Sequence, residues 1–333
     1  MNLPKEQLGL RRLRLNPLTR ELVREVRLSH EQFIQPHFVV EGLKEREGVS
    51  GMTDVFRESC DSLLRQVEAD LEQGINKLLL FGVPAKKAES DFDFDFTAGQ
   101  LAAIRKQFGA DVWIGADVCL CSATTHGHCG VINDMGDHLL NTATVAQLAR
   151  AATAFAEAGA DCVAPSDMMD GRIAAIRAAL DAGHCERTLI MSYAAKFHSG
   201  LYGPFREAAD SAPRGNVKLA DRATYQIDPA RPGDALAAAQ RDAAEGADIL
   251  MVKPGLPYLD VLAQLKNELP TCPWAVYEVS GEYAAIELLA EQGLADRARA
   301  HTEAWTSLAR AGASIIISYG ARHAKRWLSG AMT

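Results

Sequence analysis

Five times along the chain a glycine stands just ahead of an apolar run: Gln73-Gly74-Ile75-Asn76, Phe108-Gly109-Ala110-Asp111, Ala158-Gly159-Ala160-Asp161, Glu245-Gly246-Ala247-Asp248 and Ala311-Gly312-Ala313-Ser314. Lacking a Cβ, glycine ends a helix in a left-handed turn at little cost, so each phrase predicts a short helix-to-strand connection. The runs that read as strands are Phe38 to Val40, Lys77 to Val83, Val112 to Leu120, Cys162 to Ala164, Thr188 to Tyr193, Ile249 to Lys253, Trp274 to Val279 and Ser314 to Tyr319. Between them, series such as Cys60, Leu63, Leu64, Val67, Leu71 and Ile173, Ile176, Leu180 carry apolar residues at helical spacing. Thr97-Ala-Gly-Gln100 ahead of Leu101 reads as a capping box. Strand and helix alternate throughout, which predicts an α/β protein with a parallel sheet. The sheet either closes as a (β/α)8 TIM barrel or stays open and doubly wound. No Gly-x-Gly-x-x-Gly follows the first strands, and the barrel is preferred.

The barrel is assigned to residues 36–333. Residues 1–35, rich in Arg and Leu, form an arm that docks on a neighbouring subunit or, on composition alone, a partly ordered terminus. Thirty-five Lys and Arg against 43 Asp and Glu give a net charge of -8, the wrong sign for a nucleic-acid partner. No window has the roughly 18 to 20 consecutive apolar residues of a membrane span. The first residues lack the apolar core of a secretion signal, so a cytoplasmic protein is expected. The cysteine count is odd, at 7, and the spacing uneven, which argues against a disulfide framework; the clustering of three suggests metal.

Polar residues gather where the strands end: Asp117, Asp167, Lys196, Lys253, Ser280 and Tyr319. In a barrel those ends converge on one mouth, and the two long loops, from the third strand to about Asn141 and from Ala194 to about Gly233, would overhang it. Lys253 closes an apolar strand, where desolvation favours a neutral, nucleophilic amine, and Lys196 ends the adjacent strand, so each ammonium would discourage the other. The bland alternative is a lysine that snorkels into solvent. In Cys119-Leu-Cys121-Ser-Ala-Thr-Thr-His126-Gly-His128-Cys129, three thiols suit zinc with one position left open, though five donors compete and spacing does not choose among them. Asp117 is a candidate general base or a partner of the metal ligands. Arg206 and Arg222, in the second long loop, could grip a carboxylate in two-pronged fashion or remain solvated.

The segments Asp117-Val-Cys119-Leu-Cys121, Thr125-His-Gly-His-Cys129-Gly130, Ala164-Pro-Ser-Asp-Met-Met-Asp-Gly171-Arg172, Ser192-Tyr-Ala-Ala-Lys196-Phe197, Tyr202-Gly-Pro-Phe-Arg206, Met251-Val-Lys253-Pro-Gly255-Leu-Pro-Tyr258-Leu-Asp260 and Val279-Ser280-Gly-Glu-Tyr283 together resemble the porphobilinogen synthase (5-aminolaevulinate dehydratase) family. Matching segments run in order from about Arg11 to Tyr319. The resemblance implies a TIM barrel that joins two 5-aminolaevulinate molecules into porphobilinogen with loss of two waters, in tetrapyrrole and haem biosynthesis. It implies a Schiff base on Lys253, with Ser280 and Tyr319 on that substrate's carboxylate. Lys196 would hold the second substrate, with Arg206, Arg222 and Gln226 on its carboxylate. Cys119, Cys121 and Cys129 would bind one zinc ion per site, and Asp117 would transfer a proton. A homo-octamer built from dimers is also implied.

The sequence departs from the family pattern in four places. Pro84 to Phe96 lacks the usual Lys-Asp pair and glycine-serine element, and Met52-Thr-Asp-Val55 replaces Met-Pro-Gly-Val. The second long loop carries extra residues around Pro213 to Ala220. Ala238 stands where magnesium-activated members place a Glu, so no magnesium activation is expected there. Two other readings are a barrel aldolase using Lys253 alone and a zinc-binding paralogue with weak catalysis.

Overall fold

The structure, a computed structural model, describes residues 7–215 and 217–330. Eight parallel strands form its centre: β1 (Phe33–Val40), β2 (Lys77–Val83), β3 (Trp113–Val118), β4 (Cys162–Pro165), β5 (Leu189–Lys196), β6 (Ile249–Lys253), β7 (Trp274–Tyr277) and β8 (Ile315–Ile317). Each pairs with its sequence neighbour, and β8 returns to β1 through Phe33↔Ile316 and Ile34↔Ile317. The sheet is therefore closed and the open, doubly wound alternative is excluded: this is a (β/α)8 TIM barrel.

The helices around it are α1 (Cys60–Glu72), α2 (Asp95–Phe108), α3 (Asn141–Glu157), α4 (Arg172–Ala182), α5 (Pro232–Ala244), α6 (Leu259–Glu268), α7 (Ser280–Glu291), α8 (Arg297–Arg310) and α9 (Ala324–Gly330). No described helix is long and apolar enough to cross a membrane. All five glycines of the repeated phrase have positive φ, as their place at helix ends requires. The expected capping box at Thr97 is not one. α2 starts earlier, at Asp95, whose N–H is held by Asp93 Oδ1 at 2.9 Å, and Thr97 lies inside its first turn. A serine pair does this job in α1, where Ser59 and Ser62 cap each other's backbone N–H.

Strand β1 starts five residues before the apolar run that announced it, because Gln35, Pro36 and His37 interrupt the hydrophobic pattern. Two short strands, Glu47–Gly48 and Phe56–Glu58, were not foreseen; they pair with each other and extend the edge of β1. Alternation along the strands separates two kinds of core. Ile34, Phe38, Leu79, Phe81, Met191, Met251, Ala275 and Ile317 fill the barrel interior, while Leu80, Ile114, Val163, Ile190, Leu250, Val252 and Val276 face the helices.

Candidate active site

The period of two along β6 carries Ile249 and Met251 inward, and Lys253 follows them. The same period in β5, with Met191 and Tyr193 inward, would turn Ala195 inward and Lys196 outward. A bulge prevents this: Ser192 pairs with Leu250, but Ala195 pairs with Val252, so β5 spends one extra residue and Lys196 becomes the register partner of Lys253. Both lysines are therefore buried on the inner face, at 5% and 3% exposure. The ring of Tyr193 lies by both, 5.6 Å from Lys196 Nζ and 5.0 Å from Lys253 Nζ.

Aromatic rings enclose Lys253 Nζ, with Tyr277 at 3.9 Å, Phe205 at 4.9 Å and Tyr202 at 5.7 Å from ring centre. Burial, reinforced by the charge of Lys196, pushes the Lys253 pKa well below its ordinary value. Lys196 Nζ donates to the carbonyl oxygen of Ser166 at 2.5 Å. At the end of β3, Asp117 has one carboxylate oxygen buried without a partner, and burial pushes its pKa up to about 6 against the pull of both lysines. Asp167 does not join this group. It packs beneath, accepting from the Met169 N–H at 2.7 Å and facing buried Arg172 at 3.6 Å.

Of the five donors in the loop after β3, the three sulfurs converge: those of Cys119, Cys121 and Cys129 lie within 4.8 Å of one another. Hydrogen bonds from Cys119 and Cys121, together with the positive charges of Arg222 and Lys196, pull the Cys129 pKa well below the usual thiol value. The imidazoles are engaged elsewhere. His128 binds the Tyr225 hydroxyl and the Leu219 carbonyl, each at 3.1 Å, and His126 Nδ1 accepts from the His128 N–H. A cluster of three soft sulfur donors, two of them buried, could hold a metal ion.

The loop after β5 folds over the mouth. Arg222, 2% exposed, donates to the carbonyls of Gly127 and Ser211 at 2.9 and 2.6 Å, tying this loop to the cysteine loop. Gly127 is required there: a Cβ would lie 2.3 Å from the Ala212 carbonyl oxygen, and its φ is +75°. Burial works against the Arg222 charge, but the adjacent thiols outweigh it and raise its pKa; Arg206 is shifted down by burial and by Arg222. The Nε of Arg206 and of Arg222 are buried and unpartnered, as are both side-chain polar atoms of Gln226, which is 4% exposed. Buried polar groups are seldom left so, and these three are free to receive hydrogen bonds from or donate them to a polar ligand. Gln226 reaches the site because Ile227 bonds the Lys196 carbonyl at 3.0 Å.

Across the mouth, Ser280 Oγ accepts from the Phe205 N–H at 3.1 Å and donates to the Leu201 carbonyl at 3.3 Å. The Tyr277 hydroxyl donates to the Tyr319 hydroxyl at 3.1 Å. The residues given catalytic, carboxylate-binding or metal roles in the sequence thus gather around one mouth, whereas Asp167 packs beneath it and Ala238 lies within helix α5. The sequence reading missed Tyr193, Tyr277, Tyr202 and Phe205, whose rings surround the lysines. Period-two counting through Met191 and Ala275 would have placed Tyr193 and Tyr277 there; Tyr202 and Phe205 stand in the Tyr202-Gly-Pro-Phe-Arg206 segment, but no pattern gave them a place beside the lysines.

Comparison with known proteins agrees with this geometry. The family model described as delta-aminolevulinic acid dehydratase matches residues 7–327. The delta-aminolevulinic acid dehydratase of Bacillus subtilis is 42% identical over 323 residues, covering 96% of this chain and 97% of that protein. That of Methanothermobacter thermautotrophicus is 43% identical over 315 residues, covering 93% and 94%. A crystal structure of the Toxoplasma gondii enzyme, also titled porphobilinogen synthase and in complex with the reaction product porphobilinogen, superposes with a TM-score of 0.90. It is 38% identical, covering 98% of this chain and 92% of that one. A Yersinia pestis dihydropteroate synthase, 15% identical with a TM-score of 0.51, shares the barrel alone. By sequence and by fold, the chain belongs to the delta-aminolevulinic acid dehydratase family.

Proposed function

We propose that this chain is a hydro-lyase that condenses two molecules of 5-aminolaevulinate into porphobilinogen with loss of two waters. Family membership supports the reaction. The observation that carries the chemistry is the register pairing of Lys196 with Lys253 on the inner face of the barrel, beside three converging thiols.

Lys253, whose pKa is pushed down by burial and by the charge of Lys196, attacks the ketone of one substrate as the free amine; water leaves and an imine forms. Once protonated, the imine draws electrons from the adjacent carbon, so that carbon can lose a proton and act as a nucleophile. Ser280 and Tyr319 receive the carboxylate of this substrate. The second substrate sits at Lys196, its carboxylate on Arg206, Arg222 and Gln226, the residues whose polar atoms are buried and unpartnered. Asp117, with its pKa near neutrality and a free carboxylate oxygen, moves protons between the two. Cys119, Cys121 and Cys129 hold zinc, which when bound supplies Lewis acidity to a carbonyl of the second substrate.

An aldolase reading uses Lys253 and leaves Lys196 and the thiols idle, and the paralogue reading leaves two buried lysines without a task. Neither is favoured. The N-terminal arm, with Leu10, Leu18 and Leu22 at least 74% exposed, is proposed to dock on a neighbouring copy in a homo-oligomer, an octamer by family resemblance. Porphobilinogen formation from 5-aminolaevulinate, abolished by a zinc chelator and restored by zinc, tests the reading. A protein folded and metal-loaded that forms no porphobilinogen would refute it.

A further inference from the structure

Glu282 belongs to the Val279-Ser280-Gly281-Glu282-Tyr283 segment, and the proposed chemistry gives it no role. It is 5% exposed in the first turn of α7. Its Oε2 accepts from the N–H groups of Val279 at 2.7 Å and Gly255 at 3.1 Å, and its Oε1 from the N–H of Leu256 at 2.5 Å. Val279 immediately precedes Ser280; Gly255 and Leu256 follow Lys253 by two and three residues. A single carboxylate therefore joins the strand end that carries the amine to the helix start that carries Ser280. Gly255 can approach because a Cβ there would meet Leu308 Cδ2 at 2.9 Å.

The chemistry of the side chain matters as well as its shape. A carboxylate accepts through both oxygens, whereas a carboxamide would turn an NH2 group toward one of the three N–H donors. The ionisable groups facing Glu282 are Glu278 at the end of β7, Tyr202 on the overhanging loop and Tyr258 beyond β6. None of the three is a cation; burial and the charge of Glu278 push the Glu282 pKa up to about 7, and the three backbone N–H groups oppose that rise.

We propose that Glu282 is a positioning residue for imine formation: it fixes the separation between Lys253 and Ser280, so that a ketone gripped by its carboxylate meets the amine at attack distance. The inference rests on the assignment of Lys253 and Ser280 given above. Loosening such a geometry lowers the rate of the bonded step more than it weakens binding.

The test uses the full-length, zinc-loaded protein, 5-aminolaevulinate and borohydride, with the Lys253 peptide followed by mass spectrometry against time. In E282Q the adduct should reach the wild-type yield per metal-loaded chain, but about 10- to 100-fold more slowly. kcat should fall in step while KM stays within about threefold. A reduced yield at the wild-type rate would show a merely structural role and overturn the inference, as would an unchanged rate. If E282Q does not fold, Glu282→Asp replaces it, since a side chain one CH2 shorter keeps the carboxyl group but cannot reach all three N–H groups. Slowed trapping then supports the inference, and wild-type trapping overturns it. Absence of the adduct in the wild-type protein would instead refute the assignment of Lys253.

Discussion

The bulge in β5 turns Lys196 inward, and a buried ion pair holds that bulge. Arg172 and Asp242 are both fully buried and meet at 3.1 Å. From this pair, Arg172 donates to Ser192 Oγ at 3.2 Å and to the Tyr193 carbonyl at 3.4 Å, while Ser192 Oγ donates to Asp242 at 2.5 Å. Ser192 and Tyr193, where the bulge begins, are thus fastened to helices α4 and α5. Asp242→Asn keeps the shape and removes the charge. Breaking a buried pair costs about 3 to 5 kcal/mol, and Asp167, still 3.6 Å from Arg172, places this one at the lower end. A loss of about 3 kcal/mol should lower Tm by roughly 4 to 5 °C in a domain of this size. At 25 °C the folded variant should bind metal normally and still form the Lys253 adduct, but with kcat for porphobilinogen reduced at least tenfold, because Lys196 loses its fixed direction. Scanning calorimetry and steady-state kinetics give the two numbers. An unchanged Tm would refute the energetic argument, and a lowered Tm with wild-type kcat would refute the link from ion pair to bulge to lysine.

Cys129→Ala should remove the metal, about one zinc per chain; metal analysis that found the full complement would refute the ligand set. His301, between Glu287 at 2.9 Å and Glu278 at 3.7 Å, is opposed by burial, but the two carboxylates push its pKa up to about 9. Because the folded value lies above the unfolded one, its stabilisation is complete below about pH 6.5 and lost as the pH rises through 9. Stability should therefore fall by about 2 to 3 kcal/mol between pH 6.5 and 10. His301→Gln should flatten that fall, as denaturation midpoints across the range would show. Ala238 carries no ligand atom in its side chain, so activity should not rise when magnesium is added to zinc-saturated protein, and strong activation would contradict the positional reading.

Much of the fold was legible because two kinds of signal agreed along the chain. Ile249 to Lys253 is apolar on both faces, as a strand buried by barrel and helices must be, and the glycine phrase before it marked where the preceding helix ended. Local patterns did less well where their meaning depends on distant residues. Thr97 and Gln100 have the spacing of a cap, but the helix began earlier, on the Asp93 carboxylate. The motif around Lys196 suggested a reactive lysine, but strict alternation would have pointed it away from Lys253. Its true direction depends on Arg172 and Asp242, which lie 24 residues before and 46 residues after it in the chain. Gln226 was proposed by resemblance alone; its two buried polar atoms without partners are visible only in three dimensions.

The two largest departures from the family pattern meet in space, and their contacts explain how they can be altered together. Lys87, in the unusual stretch after β2, donates to the Ser122 carbonyl and reaches Asp210 at 3.0 Å. Asp210 also binds Arg214 at 2.6 Å, beside the extra residues of the overhanging loop, and Arg214 donates to the Thr125 carbonyl at 3.0 Å. Burial tends to raise the Asp210 pKa, and Arg214 and Lys87 more than compensate, holding it below its ordinary value. These charges are partly solvated, so each pair contributes no more than about 1 kcal/mol. The firmer hold is in the backbone: Ala88 donates to the Ala123 carbonyl at 2.8 Å, Thr125 to that of Ala88 at 3.1 Å, and Arg214 to that of His126 at 3.0 Å. Backbone bonds need no particular side chains. The cysteine loop is therefore clamped from both sides by segments whose side chains differ from the family pattern, and its three sulfurs keep their convergence because what positions them is main chain.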